Sequence, residues 1–474
     1  MPQFTTSFGP LTSTVHGLVV STILIPAAVS SFFGGHVANS VGRLKGVAVG
    51  ASIFGLGAAI EGGSVKLGML IAGRAIKGIG EGLFLSTLVV YITELSPPRQ
   101  RGMLASIPQL LTTIGVCSGF FICYGSVGID SSLSWRTPYI IQACIAFIFA
   151  FSTFFFLPES PRWLTAVGRH AEAKKVWETL GIEEREREKI SDQEDGAALP
   201  KSVEMKDILS VFSADAWRQT ALGVFLMGMQ QASGIDGVLY YAPLLFASAG
   251  LSSSTASFLA SGISALLIFL ITIPGTFYAD RWGRTTSTIY GGLIQAATMF
   301  VMGALYASNS VHASSGVGRY VVIAMIYLFA MAFSATWGVS FRVYISEIQS
   351  AKTRAGAASL SLSANWIVNW IIAFTTPILL SKSSYGVYFL FGGCTLFTSV
   401  VCMFAMPETR GRSLEEIQES FGDRRKRGTA FELDSEVGGE RAGVFVFEDS
   451  EERKEAKENV REVGGSSGSS IVVS

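Results

Sequence analysis

The chain has 474 residues, of which 49% are hydrophobic and only 15% are charged, and its 36 basic side chains balance its 36 acidic ones. Soluble domains carry about 25% charged residues, so this composition excludes an ordinary soluble protein and indicates a polytopic membrane protein. The five cysteines all lie in apolar stretches, and the sequence has no metal-ligand spacing and no hydrolytic or phosphate-binding motif. We therefore expect no enzyme activity, no cofactor, no metal and no nucleic-acid partner.

Eleven apolar stretches follow one another along the chain, each of roughly 18 to 28 residues, which is enough to cross the hydrocarbon core of a bilayer. This pattern predicts an all-α polytopic membrane protein. The stretches lie at about residues 15–38, 46–62, 67–94, 103–127, 137–157, 219–247, 255–278, 286–307, 319–346, 357–380 and 385–406.

The stretches fall into two groups separated by a charged segment. Lys and Arg concentrate in the loops on the side of that segment, which makes this side cytoplasmic. Eleven spans then place the N-terminus outside and the C-terminus in the cytoplasm. The predicted organisation is a five-span bundle at 1–157, a cytoplasmic helical linker at 158–216, a six-span bundle at 217–406 and a cytoplasmic, largely disordered tail at 407–474.

Three short motifs recur about 250 residues further along the chain, and long-period self-similarity of this kind marks a transporter built from two pseudo-symmetric bundles. The span at 219–247 opens the second copy, and its counterpart would fall before Met1. We therefore expect the chain to lack the first helix of a twelve-helix protein. The repeated pairs are Asn39-Ser-Val-Gly-Arg43 with Asp280-Arg-Trp-Gly-Arg284, Tyr91-Ile-Thr-Glu94 with Tyr344-Ile-Ser-Glu347, and Pro158-Glu-Ser160 with Pro407-Glu-Thr409.

The repeated charges fall at cytoplasmic helix ends. An arginine fork can pair with carboxylates of neighbouring helix ends, and two matched sets could latch the two halves together in one state of the protein. For any one charge, the alternative is positive-inside topology alone. The predicted cytoplasmic gate comprises Arg43, Glu94, Arg101, Asp280, Arg284, Glu347 and Arg354.

An ordered set of motifs spans residues 39 to 417. It includes Gly42-Arg43, Arg74-Ala-Ile-Lys-Gly78-Ile-Gly80-Glu-Gly82, Tyr91-Ile-Thr-Glu94-Leu-Ser-Pro97, Pro158-Glu-Ser-Pro161-Arg162, Gln230-Gln231-Ala-Ser-Gly234-Ile-Asp236 and Pro407-Glu408-Thr409-Arg410-Gly411. Through this set the chain resembles the sugar porter family of the major facilitator superfamily, particularly its fungal members. The resemblance implies two six-helix bundles around a central site and alternating access. It also implies that the missing helix is the family's first, which often carries an Asp.

Polar residues inside the spans are costly in a membrane and suggest function. Gln230 and Asp236 are six residues apart, so a regular helix would place them on different faces, but Gly234 could loosen the helix and let both line a cavity. Amides donate and accept hydrogen bonds, which suits a hydroxyl-rich ligand. The alternative role is hydrogen bonding between helices. The resemblance assigns substrate contact to Gln109, Gln230, Gln231, Asp236, Asn365, Trp366 and Asn369.

Proton coupling is expected to involve Arg74, Glu81 and Asp236. Arg74 and Glu81 are seven residues apart and share a helix face, with Lys77 on the adjoining ridge. In proton-coupled relatives the matching arginine faces an Asp on the first helix, a partner we expect to be absent here. We hypothesise that Glu81 takes the proton instead, and a static salt bridge of Glu81 with Lys77 is the alternative. Asp236 stands where the family usually has Asn, so it is a second candidate.

The combined prediction is a secondary active transporter of a monosaccharide or polyol, coupled to protons and working by alternating access. We expect a monomer in the lipid bilayer of the cell membrane. The alternatives are a transporter of a carboxylated, quinate-like ring compound, an exporter of a small secondary metabolite, a non-transporting sugar sensor and an inactive truncated form. Arg342, which stands where the family often has a site-facing Trp, favours the first two of these alternatives.

Overall fold

A computed structural model of the chain describes residues 2–95, 101–180, 217–251, 253–311, 316–349, 354–410 and 421. Every regular element within these ranges is an α-helix, and the described residues up to 410 belong to one compact unit. The predicted all-α fold is confirmed. Most of the predicted linker and tail lies outside the described residues.

The first half of the protein contains seven helices, and two short helices follow it. Helices α2 and α3 are continuous enough to count as one span, Ser13–Gly35, and α1 lies before them. The helices are α1 (Pro2–Phe8), α2 (Ser13–Ser21), α3 (Leu24–Val41), α4 (Arg43–Gly62), α5 (Leu67–Leu95), α6 (Arg101–Ser126) and α7 (Leu133–Phe156), then α8 (Pro161–Ala166) and α9 (His170–Thr179).

Within the described ranges, the second half begins with three helices that divide one apolar stretch and continues with six more. The first three are α10 (Trp217–Ala232), α11 (Ile235–Tyr240) and α12 (Ala242–Ser248). The others are α13 (Ser254–Trp282), α14 (Arg284–Ala307), α15 (Gly318–Ala335), α16 (Trp337–Ile348), α17 (Arg354–Lys382) and α18 (Gly386–Ala405).

Ten segments in the described ranges are long and apolar enough to span a membrane, and each coincides with a predicted span. The predicted span at 219–247 is the exception, because it is divided into α10, α11 and α12. The first break is at Gly234, which has a φ of 85°. Any Cβ at this position would overlap the ring of Phe391. Glycine is therefore required there both for the left-handed backbone and for the close approach of α18.

The two halves meet along two seams. Helix α6 of the first half packs against α13 of the second, and α17 of the second half packs against α2 and α3 of the first. Away from these seams, helix α7 carries exposed apolar side chains, including Ile145, Ile148 and Phe151. Such a face suits contact with lipid tails. The candidate site involves α5 of the first half and α10, α11 and α17 of the second.

Close contact between α4 and α5 depends on glycine. A Cβ at Gly80 would lie 2.6 Å from the carbonyl oxygen of Gly50, and a Cβ at Gly57 would lie 2.7 Å from that of Gly73. The glycine run at 78–82 is thus a helix-packing run. It brings the two backbones close enough for charged side chains of α4 and α5 to meet inside the bundle.

Candidate functional site

Just before the break at Gly234, buried amide side chains of α10 lie against the middle of α17. Gln230 on α10 donates from Nε2 to the carbonyl oxygen of Trp337 at 2.9 Å. Asn365 on α17 donates from Nδ2 to Gln230 Oε1 at 3.2 Å and to the carbonyl oxygen of Met227 at 2.9 Å. Gln231 donates from Nε2 to Asn365 Oδ1 at 3.3 Å. The structure therefore brings three predicted substrate residues into one network.

One turn further along α17, Asn369 connects to the helix that follows the break. Its Nδ2 donates to Asp236 Oδ2 at 2.6 Å and lies 3.2 Å from the Tyr240 hydroxyl. Asn365 and Asn369 are four residues apart, so both side chains lie on one face of α17. Tyr240 was not among the predicted site residues, although it belongs to the Tyr240-Tyr241 pair that follows Asp236 in the sequence.

Several predicted substrate residues hold a buried polar atom that no protein group satisfies. Within the part of the chain that the structure describes, these atoms are Gln109 Oε1, Gln231 Oε1, Trp366 Nε1 and Asn369 Oδ1. Leaving such an atom without a partner costs about 1–3 kcal/mol, so it calls for a ligand or a water. Gln231, Trp366 and Asn369 lie on α10 and α17 of the second half. Gln109 lies apart from them on α6 of the first half, and no contact joins it to the other six among the described residues.

Asp236 faces charged groups from both halves. Arg342 on α16 is exposed and close enough for its charge to act on Asp236. Glu81 on α5 is half-buried and within electrostatic range of both Asp236 and Lys77. Two carboxyl groups, one from each half, are therefore within electrostatic range of one another.

A buried charge cluster lies between α4, α5 and α7, and its centre is a residue that sequence reasoning missed. The fully buried Glu61 accepts from Lys77 Nζ at 2.5 Å and lies 3.4 Å from Arg74 Nε. Arg74 also donates to the Tyr139 hydroxyl at 3.1 Å, and Lys77 Nζ lies 3.4 Å from Gln142 Oε1. The available signal was that Glu61 is an acidic residue at the end of an apolar span.

The cluster alters two expectations about the first half. Arg74 was expected to lack its family partner, yet it has a carboxylate neighbour in Glu61. Lys77 was the alternative partner for Glu81, yet its closest carboxylate is also that of Glu61. No ion pair of Glu81 is seen among the residues that the structure describes. Spacing along one helix could not reveal this arrangement, because Glu61 comes from another helix.

The first repeated arginine is held by two carboxylates at the turn between α3 and α4. Arg43 makes a two-pronged contact with Glu94, with Nε–Oε2 and Nη2–Oε1 distances of 2.9 and 2.8 Å. Ser160 donates to Glu94 Oε2 at 2.5 Å. Glu159 Oε1 accepts from the backbone amides of Arg43 at 3.1 Å and Leu44 at 3.2 Å.

The second half repeats this network at the turn between α13 and α14. Arg284 Nη2 lies 3.0 Å from Glu347 Oε1, and Thr409 donates to Glu347 Oε2 at 2.6 Å. Glu408 accepts from the backbone amides of Arg284 at 2.8 Å and Thr285 at 3.1 Å. Glu159 and Glu408 were not predicted as site residues, although both stand in the repeated Pro-Glu motifs.

These two networks bear on the predicted gate. Each described pair, Arg43 with Glu94 and Arg284 with Glu347, joins residues of the same half rather than residues of opposite halves. The side chains of Arg101, Asp280 and Arg354 lie outside the described part of the structure. The gating role therefore stays a prediction.

Comparison with known proteins identifies the relatives of this chain. The family described as "Sugar (and other) transporter" matches residues 2–421. The high-affinity glucose transporter of Kluyveromyces lactis is 29% identical over 87% of this chain and 78% of its own length. The glucose transporter GlcP of Staphylococcus epidermidis is 30% identical over 88% and 90% of the two chains. The galactose-proton symporter of Escherichia coli K12 is 29% identical over 88% of each.

The fold is similar to that of a solved transporter. The structure of the proton:xylose symporter XylE bound to 6-bromo-6-deoxy-D-glucose superposes with a TM-score of 0.71 at 24% identity. The likeness covers 88% of this chain and 93% of the other. It agrees with the major facilitator fold that the family resemblance implies.

Proposed function

The chain belongs to the sugar (and other) transporter family, a family of transporters and not of enzymes, and from this we propose that it carries a neutral monosaccharide or polyol across the cell membrane together with a proton. The relatives named as glucose transporters and as a galactose-proton symporter support this substrate class and coupling ion. Transport proceeds by alternating access, with the N-terminus of the described chain outside and the C-terminal tail in the cytoplasm.

The observation that carries the proposal is the set of unpartnered polar atoms beside the helix break. Gln231 Oε1 and Asn369 Oδ1 are acceptors, and Trp366 Nε1 is a donor. A sugar hydroxyl donates one hydrogen bond and accepts others, so a polyhydroxylated ring satisfies both kinds of atom at once. The indole of Trp366 additionally offers an aromatic face for the C–H surface of the ring.

The remaining predicted contacts support this site in different ways. Gln230 and Asn365 hydrogen-bond to one another and to backbone carbonyl oxygens. They therefore hold α10 against α17 and position Gln231. Asp236 orients Asn369 by accepting its amide hydrogen. Gln109 supplies the contact from the first half, which reaches the substrate when the two halves close around it.

Proton coupling uses Glu81 of the first half and Asp236 of the second, which are within electrostatic range of one another. Glu61 is committed to Lys77 and Arg74, so it serves to hold these two cations rather than to exchange a proton. Glu81 and Asp236 repel one another while both are ionised, because like charges in a poorly solvated site interact strongly. Protonation of either removes the repulsion and allows the halves to approach. A cycle that requires this approach is thereby tied to proton binding.

Uptake in a yeast strain without its own sugar transporters tests the proposal. We expect saturable uptake of a labelled hexose or polyol, abolished by an uncoupler and accompanied by alkalinisation of the medium. The variant Gln231→Ala should lose uptake, whereas Gln295→Ala should retain it. Gln295 is a matched control because it is a buried amide with an equally unpartnered Oε1, but it lies on α14 and its Nε2 donates to its own helix at Gly291. Uptake of quinate but of no hexose or polyol, or hexose uptake whose rate does not depend on the proton gradient, would contradict the proposal.

A further inference from the structure

A second cavity lies between the two halves at the end of the bundle away from the arginine networks. It has a volume of about 320 Å³ and lies between α2 of the first half and α12, α14, α17 and α18 of the second. Helix α14 starts at Arg284 and reaches this cavity at its last turn, with Tyr306. The cavity therefore opens at the end that the predicted topology places outside.

The lining of this outer cavity is uncharged, and its polar side chains are set among apolar surface. Seven of its twelve lining residues carry a hydroxyl or an imidazole, and none of the twelve is Asp, Glu, Lys or Arg. The remaining five residues are four leucines and one proline. The polar residues include His16, Ser248, Tyr306, Ser381, Ser384 and Tyr388.

The hydroxyl groups are arranged so that they retain capacity for a ligand. Ser248 and Ser381 donate to carbonyl oxygens of their own helices at 2.8 Å, which leaves the lone pairs of both oxygens available. The rings of Tyr306 and Tyr388 are stacked with centroids 5.3 Å apart, and the Tyr306 hydroxyl lies 3.4 Å from Ser248 Oγ. These contacts fix the two tyrosines side by side on one wall of the cavity.

The chemistry of the lining selects one class of ligand. A lipid tail would match the leucines and the proline of the lining but would leave the remaining lone pairs of the serine oxygens unused. An ionic ligand would find no counter-charge on the walls. A volume near the lower end of the roughly 300–1,000 Å³ typical of ligand pockets suits one small molecule. A neutral polyhydroxylated ring meets all three conditions.

The outer cavity is next to the amide site. His16 contacts the ring of Tyr241 edge-on, with centroids 5.4 Å apart. Tyr241 is buried and follows Tyr240, which contacts Asn369 of the amide site. The contact between His16, which lines the cavity, and Tyr241, the neighbour of Tyr240, therefore connects the two sites and joins one ring from each half.

We propose that this outer cavity is a second binding site for the transported monosaccharide or polyol, occupied before the sugar enters the amide site. The inference rests on the proposed function for the identity of its ligand. Because its walls come from both halves, the outer site is complete only while the halves stand as they do in this structure. It holds the sugar at the outer entrance and releases it when His16 and Tyr241 separate.

Chemical labelling of a cysteine in the cavity tests the outer site in the full-length protein. Ser384→Cys places a thiol in the turn between α17 and α18, and Ser132→Cys is the matched control on another turn at the same end. The unsubstituted chain, with its five free cysteines, gives the background. With an impermeant maleimide, sugar at twice its dissociation constant should slow labelling of Ser384→Cys about threefold by occupancy alone and leave Ser132→Cys unchanged.

The variant Gln231→Ala separates this site from the amide site. We expect sugar to protect Ser384→Cys equally well when Gln231→Ala is present, and Ser248→Leu, which fills the cavity, to remove the protection. Protection that disappears with Gln231→Ala would overturn the outer site, because it would then report only movement caused by the amide site. Normal transport without any protection would overturn the outer site and leave the proposed function standing. Protection in a chain that transports no sugar would support the outer site and contradict the proposed function.

Discussion

Glu61 shows how a single buried carboxylate can decide the stability of a helix bundle. It is fully buried and holds both Lys77 and Arg74. Glu61→Gln would leave two cations inside the first half without a counter-charge, and we expect a loss of about 3–5 kcal/mol in the free energy of unfolding. Thermal unfolding in detergent, followed by tryptophan fluorescence, measures the effect. The double variant Glu61→Gln with Lys77→Gln restores the original charge balance and should recover most of the loss. No recovery would show that Lys77 is not the main partner.

Glu81 should behave in the opposite way, because no ion pair holds it among the described residues. We expect Glu81→Gln to fold to normal levels and to retain sugar counterflow down a gradient. It should lose accumulation driven by a proton gradient, since the neutral amide removes the repulsion from Asp236 without binding a proton. Vesicles with an imposed pH gradient measure the accumulation, and counterflow in the same vesicles is the control. Unchanged proton-driven uptake would show that Glu81 does not couple transport to protons.

At the scale of the helix, the break at Gly234 determines where the site lies. Gly234→Ala forces a Cβ into the left-handed region, at a cost of about 1–2 kcal/mol, and against the ring of Phe391. We expect α11 to shift and the half-saturating sugar concentration to rise, because Asp236 and Asn369 move apart. Gly228→Ala is the matched control on α10, since its Cβ would meet Val368 at an ordinary 3.4 Å. A neutral effect of Gly234→Ala would mean that α10 and α11 form a continuous helix in the membrane.

The helices show what hydropathy can and cannot predict. Ten spans coincide with prediction because bilayer thickness fixes the length of an apolar run. The break at Gly234 was anticipated only as a loosening, since the sequence reveals the glycine but not the ring of Phe391 that requires it. Asn365 and Gln231 were both predicted as substrate contacts through the family resemblance, which did not indicate the hydrogen bond between them. Glu61 was missed because its partners lie on another helix, and their pairing depends on how closely glycines let α4 and α5 approach.

At the scale of the whole molecule, the two arginine networks repeat the same construction in both halves. In each, a turn with a positive-φ glycine presents an arginine to a carboxylate near the end of a helix. A second carboxylate accepts hydrogen bonds from the backbone amides of the turn. The networks therefore stabilise the end of each bundle that the sequence predicts to be cytoplasmic. Rigid bundles are what alternating access requires, because the halves must rock as bodies rather than bend.

Combining changes in the two networks distinguishes rigid halves from a latch between them. Glu94→Gln and Glu347→Gln each remove a carboxylate from one network, and both should slow transport. If each network acts within its own half, the effects on the logarithm of the rate should add in the double variant to within about 0.5 kcal/mol, as for independent sites. If the networks form one latch, the first change already opens it and the second adds little. Arg43→Lys, which keeps the charge but loses the two-pronged contact, should resemble Glu94→Gln in the first case. Initial uptake rates, normalised to the amount of protein in the membrane, decide between additive and non-additive behaviour. They are compared for the unsubstituted chain, the two single glutamate variants and the double variant.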